Sequence, residues 1–183
     1  VNKTPENSNG TAFTLTICRN FIASSHILYN TGKVKINQVG QIGETPLTSC
    51  VSAEHQYPGL IDFLISLQDL DVNAKNKYGN TAIELAAERQ YADAACVLLK
   101  RPDLIVSQNT LEKLVDLALY HNNRELFRAL FKSGKLQITD LPLEDFCTRM
   151  NKPLIKEESL IPLWTNAKSD ELQLQELIRC IYE

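Results

Sequence analysis

The sequence predicts an all-α fold built from repeated pairs of short helices, and three observations carry this prediction. Equivalent positions 11, 45, 81 and 113 are separated by 34, 36 and 32 residues, a spacing typical of helical repeat arrays. Apolar residues recur at helical spacing within each repeat. The chain has 183 residues, of which 44% are hydrophobic and 22% charged, a composition that favours a folded chain over a disordered one.

The first repeat begins at Thr11-Ala12-Phe13, and Ile27 and Leu28 form the apolar pair of its second helix. Gly32 follows as the terminating glycine. Asn9 stands at the turn position that glycine holds in the next two repeats. Asn is the residue that best tolerates a left-handed backbone after glycine, so two helices are still expected here.

The second repeat contains the run Gly43-Glu44-Thr45-Pro46-Leu47, which opens its first helix. Its spacing exceeds the usual ~33 residues of such repeats, and we place the surplus in residues 54–59, the turn between its two helices. The apolar residues that close this repeat are Ile61, Phe63, Leu64 and Ile65.

The third repeat is the clearest. Gly79 suits a tight turn in which a side chain would be strained, and the Thr81 hydroxyl can cap the helix that follows. A second helix is predicted from about Asp93 to Lys100, and Pro102 marks its end. The first helix presents small and apolar residues on one face, namely Ile83, Leu85, Ala86 and Ala87.

The fourth repeat is degenerate but keeps a clear helical period. Leu111 stands at its turn-glycine position, and Asn122-Asn123 is the predicted turn between its two helices. The apolar residues of the two helices are Leu114, Val115, Leu117, Ala118 and Leu119, then Leu126, Phe127, Leu130 and Phe131.

Beyond Gly134 the repeat pattern ends, although helices are still predicted. Thr139 or Asp140 can cap a short helix, Pro153 breaks the chain, and Ser169 can cap a last amphipathic helix. Repeat arrays need a terminal unit with a polar outer face, so this tail is expected to be a cap.

The runs Gly43-Glu44-Thr45-Pro46-Leu47 and Gly79-Asn80-Thr81-Ala82-Ile83 resemble the ankyrin repeat, most strongly over residues 43–99. The resemblance implies an ankyrin-repeat solenoid of stacked helix-turn-helix units with a helical C-terminal cap. The alternative is one irregular all-helical domain. The four repeats within 6–140 and the capping segment would span 6–39, 40–75, 76–107, 108–140 and 141–183.

One departure from the family concerns stability. The signature histidine is replaced in the four repeats, so the hydrogen bonds that it would make are either replaced or missing, and we expect a lower stability than in consensus arrays. The replacing residues are Thr14, Thr48, Glu84 and Asp116.

Charge and cysteine content limit the partners and the compartment. The net charge of −3 lacks the clustered lysine and arginine that nucleic-acid binding needs, and the pair Lys100-Arg101 is more typical of a solvated face. No apolar run approaches the ~20 residues that cross a bilayer. The five cysteines are widely spaced and odd in number, which favours reduced thiols and a cytoplasmic location.

We find no motif for catalysis, a metal or a phosphate-bearing cofactor, so the chain is predicted not to be an enzyme and to bind no cofactor or small-molecule substrate. His26, His55 and His121 lie in three different repeats without cysteine or carboxylate at ligand spacing.

The resemblance instead implies a protein–protein interaction module that binds a partner protein through its concave face. Family positions used for recognition map onto turn tips and ends of inner helices. Tyr and Arg are common interface anchors, so we expect a partner to dock around Tyr78, Arg89 and Tyr120. The full set is Gln41, Ile42, Glu44, Lys75, Lys77, Tyr78, Asn80, Glu88, Arg89, Tyr120 and His121.

Two alternative functions stay open. The run Leu141-Pro142-Leu143-Glu144 resembles the start of an F-box, which would make the chain a substrate-recruiting adaptor, but Pro153 and Pro162 interrupt the helix that an F-box needs. The chain begins with Val1, so we also consider an excised ankyrin region of a multidomain enzyme. The chain is rich in Asn, Ile and Lys, as products of AT-rich genomes often are, so a secreted bacterial effector is a further alternative. An effector of an intracellular bacterium would act in the host cytosol.

Overall fold

The structure is a computed structural model that describes residues 12–40, 43–53, 58–121 and 123–136. Within these ranges all regular secondary structure is helical, which confirms the all-α prediction for this part of the chain. The helices are α1 (Ala12–Cys18), α2 (Ile22–Asn30), α3 (Pro46–Ser52), α4 (Pro58–Ser66), α5 (Ala82–Glu88), α6 (Ala92–Leu98), α7 (Gln108–Tyr120) and α8 (Arg124–Lys132).

The helices belong to two compact units, one that ends at Val106 and one that begins at Ser107. In the first unit α1 pairs with α2, α3 with α4 and α5 with α6. The first helices of these pairs lie side by side in the order α1, α3, α5, and α4 packs against α6. In the second unit α7 packs against α8. The core of the first unit includes the fully buried Phe13, Ile17, Leu47, Leu60, Ile61, Leu64, Ile83, Leu98 and Leu104.

The two predicted turn glycines have the left-handed backbone that glycine alone adopts without strain. The φ angle is +81° at Gly43 and +84° at Gly79. At Gly43 a Cβ atom would also overlap the side chain of Lys77. Glycine is therefore required at this position for two independent reasons.

Threonine caps the helix that follows each of these turns. The Thr45 Oγ1 accepts from the Thr48 backbone N at 3.1 Å, and the Thr81 Oγ1 accepts from the Glu84 backbone N at 3.4 Å. In return Thr48 Oγ1 accepts from Thr45 N and Glu84 Oε2 from Thr81 N, each at 2.8 Å. At Thr48 and Glu84, where the ankyrin resemblance would place a histidine, the side chains instead complete capping boxes at the starts of α3 and α5.

Arg101 is held by the loop that follows α4. Its guanidinium donates to the backbone carbonyls of Ile65, Leu67 and Leu70 at 2.9, 3.1 and 3.2 Å. Hydrogen bonding to the Asp103 carboxylate raises the pKa of Arg101. The expectation of a solvated face for Lys100-Arg101 is therefore wrong for Arg101, whose charge satisfies carbonyls at a helix end.

The fourth helix pair departs furthest from the repeat pattern. Helix α7 begins directly after its N-cap Ser107, so Leu111 at the turn-glycine position is a buried residue inside a helix. Without glycine, the apolar face of Leu111, Leu114 and Val115 favours a continuous helix over a turn. The second pair starts its α4 at Pro58, so Pro58 belongs to the helix and not to the preceding turn.

The first pair also differs from expectation in one core residue. Ile27 and Leu28 both lie in α2, as predicted, but the Ile27 side chain is 67% exposed. The buried residue of this helix is Ser25, whose Oγ donates to Thr16 Oγ1 of α1 at 2.9 Å. Some predictions concern residues outside the described ranges. They are those for Asn9, for residues 54–57, for Asn122 and for the segment 137–183 with its capping and F-box-like features.

Candidate functional site

The turn between α4 and α5, which we call the third tip (residues 74–81), is organised around Asn76. Its side chain is buried, with 6% exposed. The Oδ1 atom accepts from the backbone N of Tyr78 and of Asn80, both at 3.0 Å. The Asn76 backbone N donates to Asn80 O at 2.9 Å, and Gly79 N donates to Asn76 O at 2.9 Å. These bonds fix the backbone on which the exposed residues stand.

The third tip is also bonded to the turn before α3. The Lys77 backbone N donates to Gly43 O at 2.7 Å. The Asn76 Nδ2 donates to the Glu44 carboxylate oxygens at 3.2 and 3.3 Å. Neighbouring turns are thus linked by one backbone bond and one amide–carboxylate contact.

Tyr78 is the most prominent side chain of the third tip, with 69% of its surface exposed. The Lys77 Nζ lies 4.9 Å from the centroid of its ring, within the range of a cation–π interaction. Lys75 and Lys77 are exposed and alternate with the buried Asn76. The structure therefore brings together five predicted site residues at or beside this tip: Glu44, Lys75, Lys77, Tyr78 and Asn80.

Arg89 and Glu88 lie at the end of α5 and are both exposed. The Arg89 Nη1 donates to the carbonyl of Ser52, the last residue of α3, at 2.8 Å. Arg89 therefore has a structural partner that the sequence did not indicate: it satisfies a free carbonyl at a helix end.

Tyr120 and His121 lie at the end of α7, in the second unit. Tyr120 is 87% exposed and its ring meets that of His121 edge to face, with centroids 5.0 Å apart. Gln41 and Ile42, the remaining predicted site residues, lie outside the described residues.

Two asparagines outside the predicted set link successive loops of the first unit. The Asn37 side chain donates to Asp69 O and accepts from Asp71 N, both at 2.8 Å. The Asn73 side chain does the same one repeat later, donating to Asp103 O at 2.8 Å and accepting from Ile105 N at 2.7 Å. We call these contacts the asparagine clamps.

The signal for the clamps was present in the sequence. Asn37 follows Ile36 and Asn73 follows Val72, and both apolar residues are buried. The asparagines are 36 residues apart, as are Thr45 and Thr81. An apolar residue followed by asparagine at the repeat period would have indicated them.

The described cysteines, Cys18, Cys50 and Cys96, are free thiols. Burial raises the pKa of Cys50 to about 12, and desolvation also raises the pKa of Cys18. Cys50 is therefore a neutral packing residue at ordinary pH and a poor nucleophile.

Among the described residues, no group of three or more histidine, cysteine or acidic side chains is placed to hold a metal ion. None of the helices from α1 to α8 has the length and apolar character that a membrane crossing requires.

No family model matches the chain, and no curated protein is significantly similar to it in sequence.

Proposed function

We propose that this chain is a protein–protein interaction module of the ankyrin-repeat class. Support comes from the row of paired helices in the first unit. The turns before α3 and α5 add to it, because each contains a glycine and each is followed by a threonine that caps the helix. The asparagine clamps, which recur at the same interval as these turns, add further support.

The observation that carries the proposal is an exposed aromatic side chain on a rigid turn. Tyr78 is 69% exposed although the backbone around it is fixed by Asn76. A fixed loop loses little conformational freedom on binding, and tyrosine is one of the residue types that most often anchor interfaces. The third tip would therefore be the centre of the partner-binding surface.

We propose that the chain binds its partner in a reducing compartment and catalyses no reaction itself. In support of this, the sequence has no catalytic motif, and Cys50 is buried with a raised pKa.

The test compares the two exposed tyrosines with Ile27, an aliphatic residue whose exposure is close to that of Tyr78. The wild-type chain and the variants Tyr78→Ala, Tyr120→Ala and Ile27→Ala would be immobilised and the proteins they retain quantified by mass spectrometry. We expect Tyr78→Ala to lose a partner that Ile27→Ala retains, because Ile27 is 67% exposed but lies on α2, away from the turns.

The variant Arg89→Ala would change stability as well as the surface, because Arg89 also donates to the Ser52 carbonyl. Its effect on binding would be compared with its effect on thermal unfolding. Equal retention of every bound protein by wild type, Tyr78→Ala and Tyr120→Ala would reject the proposed surface.

A further inference from the structure

The third tip carries two positive charges that no described residue neutralises by an ion pair. Lys75 and Lys77 are exposed, and neither lies within ion-pair distance of a described carboxylate. Lys100 behaves differently, since its Nζ is 2.8 Å from Asp62 Oδ1.

Three carboxylates that lie beside this tip in the fold or in the sequence each accept a hydrogen bond from within the chain. Glu44 accepts from Asn76 Nδ2 at 3.2 Å, and Glu84 accepts from the Thr81 backbone N at 2.8 Å. Asp71 accepts from the Asn73 backbone N at 2.9 Å. These hydrogen bonds fix the orientation of the three carboxylates, whereas Lys75 and Lys77 are exposed and form no ion pair with a described residue.

The positions of the lysines follow from the backbone. Lys75 and Lys77 lie on either side of the buried Asn76 and are both exposed. Lys77 also lies over the Tyr78 ring, which keeps its ammonium group close to the exposed aromatic surface. A ligand group placed here would meet an aromatic ring and two cations together.

We propose that the third tip binds an acidic segment of a partner protein, with aspartate or glutamate beside an aromatic or aliphatic side chain. The carboxylates would pair with Lys75 and Lys77, and the apolar side chain would pack on Tyr78. This inference rests on the proposed function and specifies the chemistry of the partner.

A protein segment fits this tip better than a nucleic acid does. Nucleic-acid binding depends on many phosphate contacts from clustered cations, whereas the tip offers two lysines in a chain of net charge −3. The single exposed ring of Tyr78 suits one apolar side chain, while single-stranded nucleic acids stack successive bases on several rings.

The experiment uses a phage-displayed library of random dodecapeptides, selected on the immobilised full chain. Recovered peptides are expected to be enriched in Asp and Glu next to apolar residues. Recovery without that enrichment, or recovery of no binder, would overturn the inference.

A recovered acidic peptide would then be labelled with fluorescein and titrated by fluorescence polarisation. We expect the double variant Lys75→Glu/Lys77→Glu to weaken binding at least ~10-fold, and added salt to weaken wild-type binding, because exposed charges are screened. The matched control is Lys33→Glu/Lys35→Glu, which makes the same charge change at two exposed lysines two residues apart in the loop after α2. Circular dichroism would verify that both variants are folded.

The outcomes separate this inference from the function on which it rests. Loss of peptide binding in Tyr78→Ala but not in Lys75→Glu/Lys77→Glu would reject an acidic partner and leave the interaction surface in place. Unchanged binding in both variants would reject both. Tighter binding of a labelled oligothymidylate than of the peptide would also overturn the inference.

Discussion

The helix pairs of the first unit and the pair α7–α8 of the second unit are stabilised by different kinds of interaction. In the first unit, polar side chains bind backbone groups of another pair or loop, as Asn37, Asn73 and Arg101 do. In α7–α8 a local bond runs from Leu126 N to Asn123 Oδ1 at 3.0 Å.

Helix α8 buries an apolar face. Leu126, Phe127 and Leu130 of α8 are fully buried, and the Phe127 ring lies 5.1 Å from that of Phe131. The face opposite carries charged residues, including Arg124 and Glu125, so α8 is a strongly amphipathic helix.

The difference follows from what the chain does before the first helix of each pair. Before α3 and α5 the chain forms a turn whose backbone groups lack helical partners, so side chains such as Asn76 must satisfy them. Helix α7 also begins at an N-cap, Ser107, whose Oγ accepts from the Thr110 backbone N at 3.3 Å, but no glycine turn precedes it. Among the described residues, a turn organised by a buried asparagine therefore precedes α5 and not α7.

The largest effect is expected from the apolar side of this comparison. Phe127→Ala removes a fully buried ring and should lower the free energy of unfolding by about 3–5 kcal/mol, through lost burial and the cavity left behind. Urea unfolding followed by circular dichroism measures it. Tyr120→Ala, in the same helix pair but 87% exposed, is the control and should cost less than about 0.5 kcal/mol. Equal losses would contradict an apolar basis for α7–α8.

The next effect tests the polar side. Asn76→Ala leaves the backbone N of Tyr78 and of Asn80 without their acceptor and removes the donor to Glu44, so a loss of about 2–3 kcal/mol is expected. Asn76→Asp keeps an acceptor for the two backbone N–H groups but places a second carboxylate beside Glu44, so a loss of stability is expected here too. Asn80→Ala is the control, since the bonds of Asn80 come from its backbone. A loss below that of Asn80→Ala would show that the tip is held by something other than Asn76.

Sequence reasoning recovered the features that depend on neighbouring residues. The left-handed turns at Gly43 and Gly79 and the cap by Thr81 were predicted because a glycine or a hydroxyl acts within a few residues of its own position. The clamps by Asn37 and Asn73 were missed because their partners lie 30 or more residues away, and an asparagine alone does not reveal such a partner.

The placement of the candidate site residues follows the same rule. Tyr78 and Lys77 stand on a turn that the glycine pattern located, whereas the hub Asn76 and the bond from Arg89 to Ser52 required the fold. In the fourth pair, counting residues placed Leu111 at a turn, but the local helical preference of its neighbours decided the outcome.

The smallest effect compares two turns that share one geometry. Asn20, between α1 and α2, and Gln90, between α5 and α6, have positive φ angles of 55° and 59°. The hydrogen bonds around them also match: Phe21 N donates to Thr16 O and Tyr91 N to Ala86 O, both at 2.8 Å. The two turns therefore share one backbone geometry, and a different residue adopts the left-handed conformation in each.

Glutamine is strained in this conformation, whereas asparagine tolerates it and glycine adopts it freely. We expect Gln90→Gly to raise the free energy of unfolding by about 0.5–1 kcal/mol, the relief of strain being partly offset by the greater freedom of glycine in the unfolded chain. Asn20→Gly is the matched control and should change stability by less than about 0.5 kcal/mol. Urea unfolding of the two variants measures the difference, and a Gln90→Gly variant no more stable than wild type would mean that other contacts of Gln90 outweigh the strain at this turn.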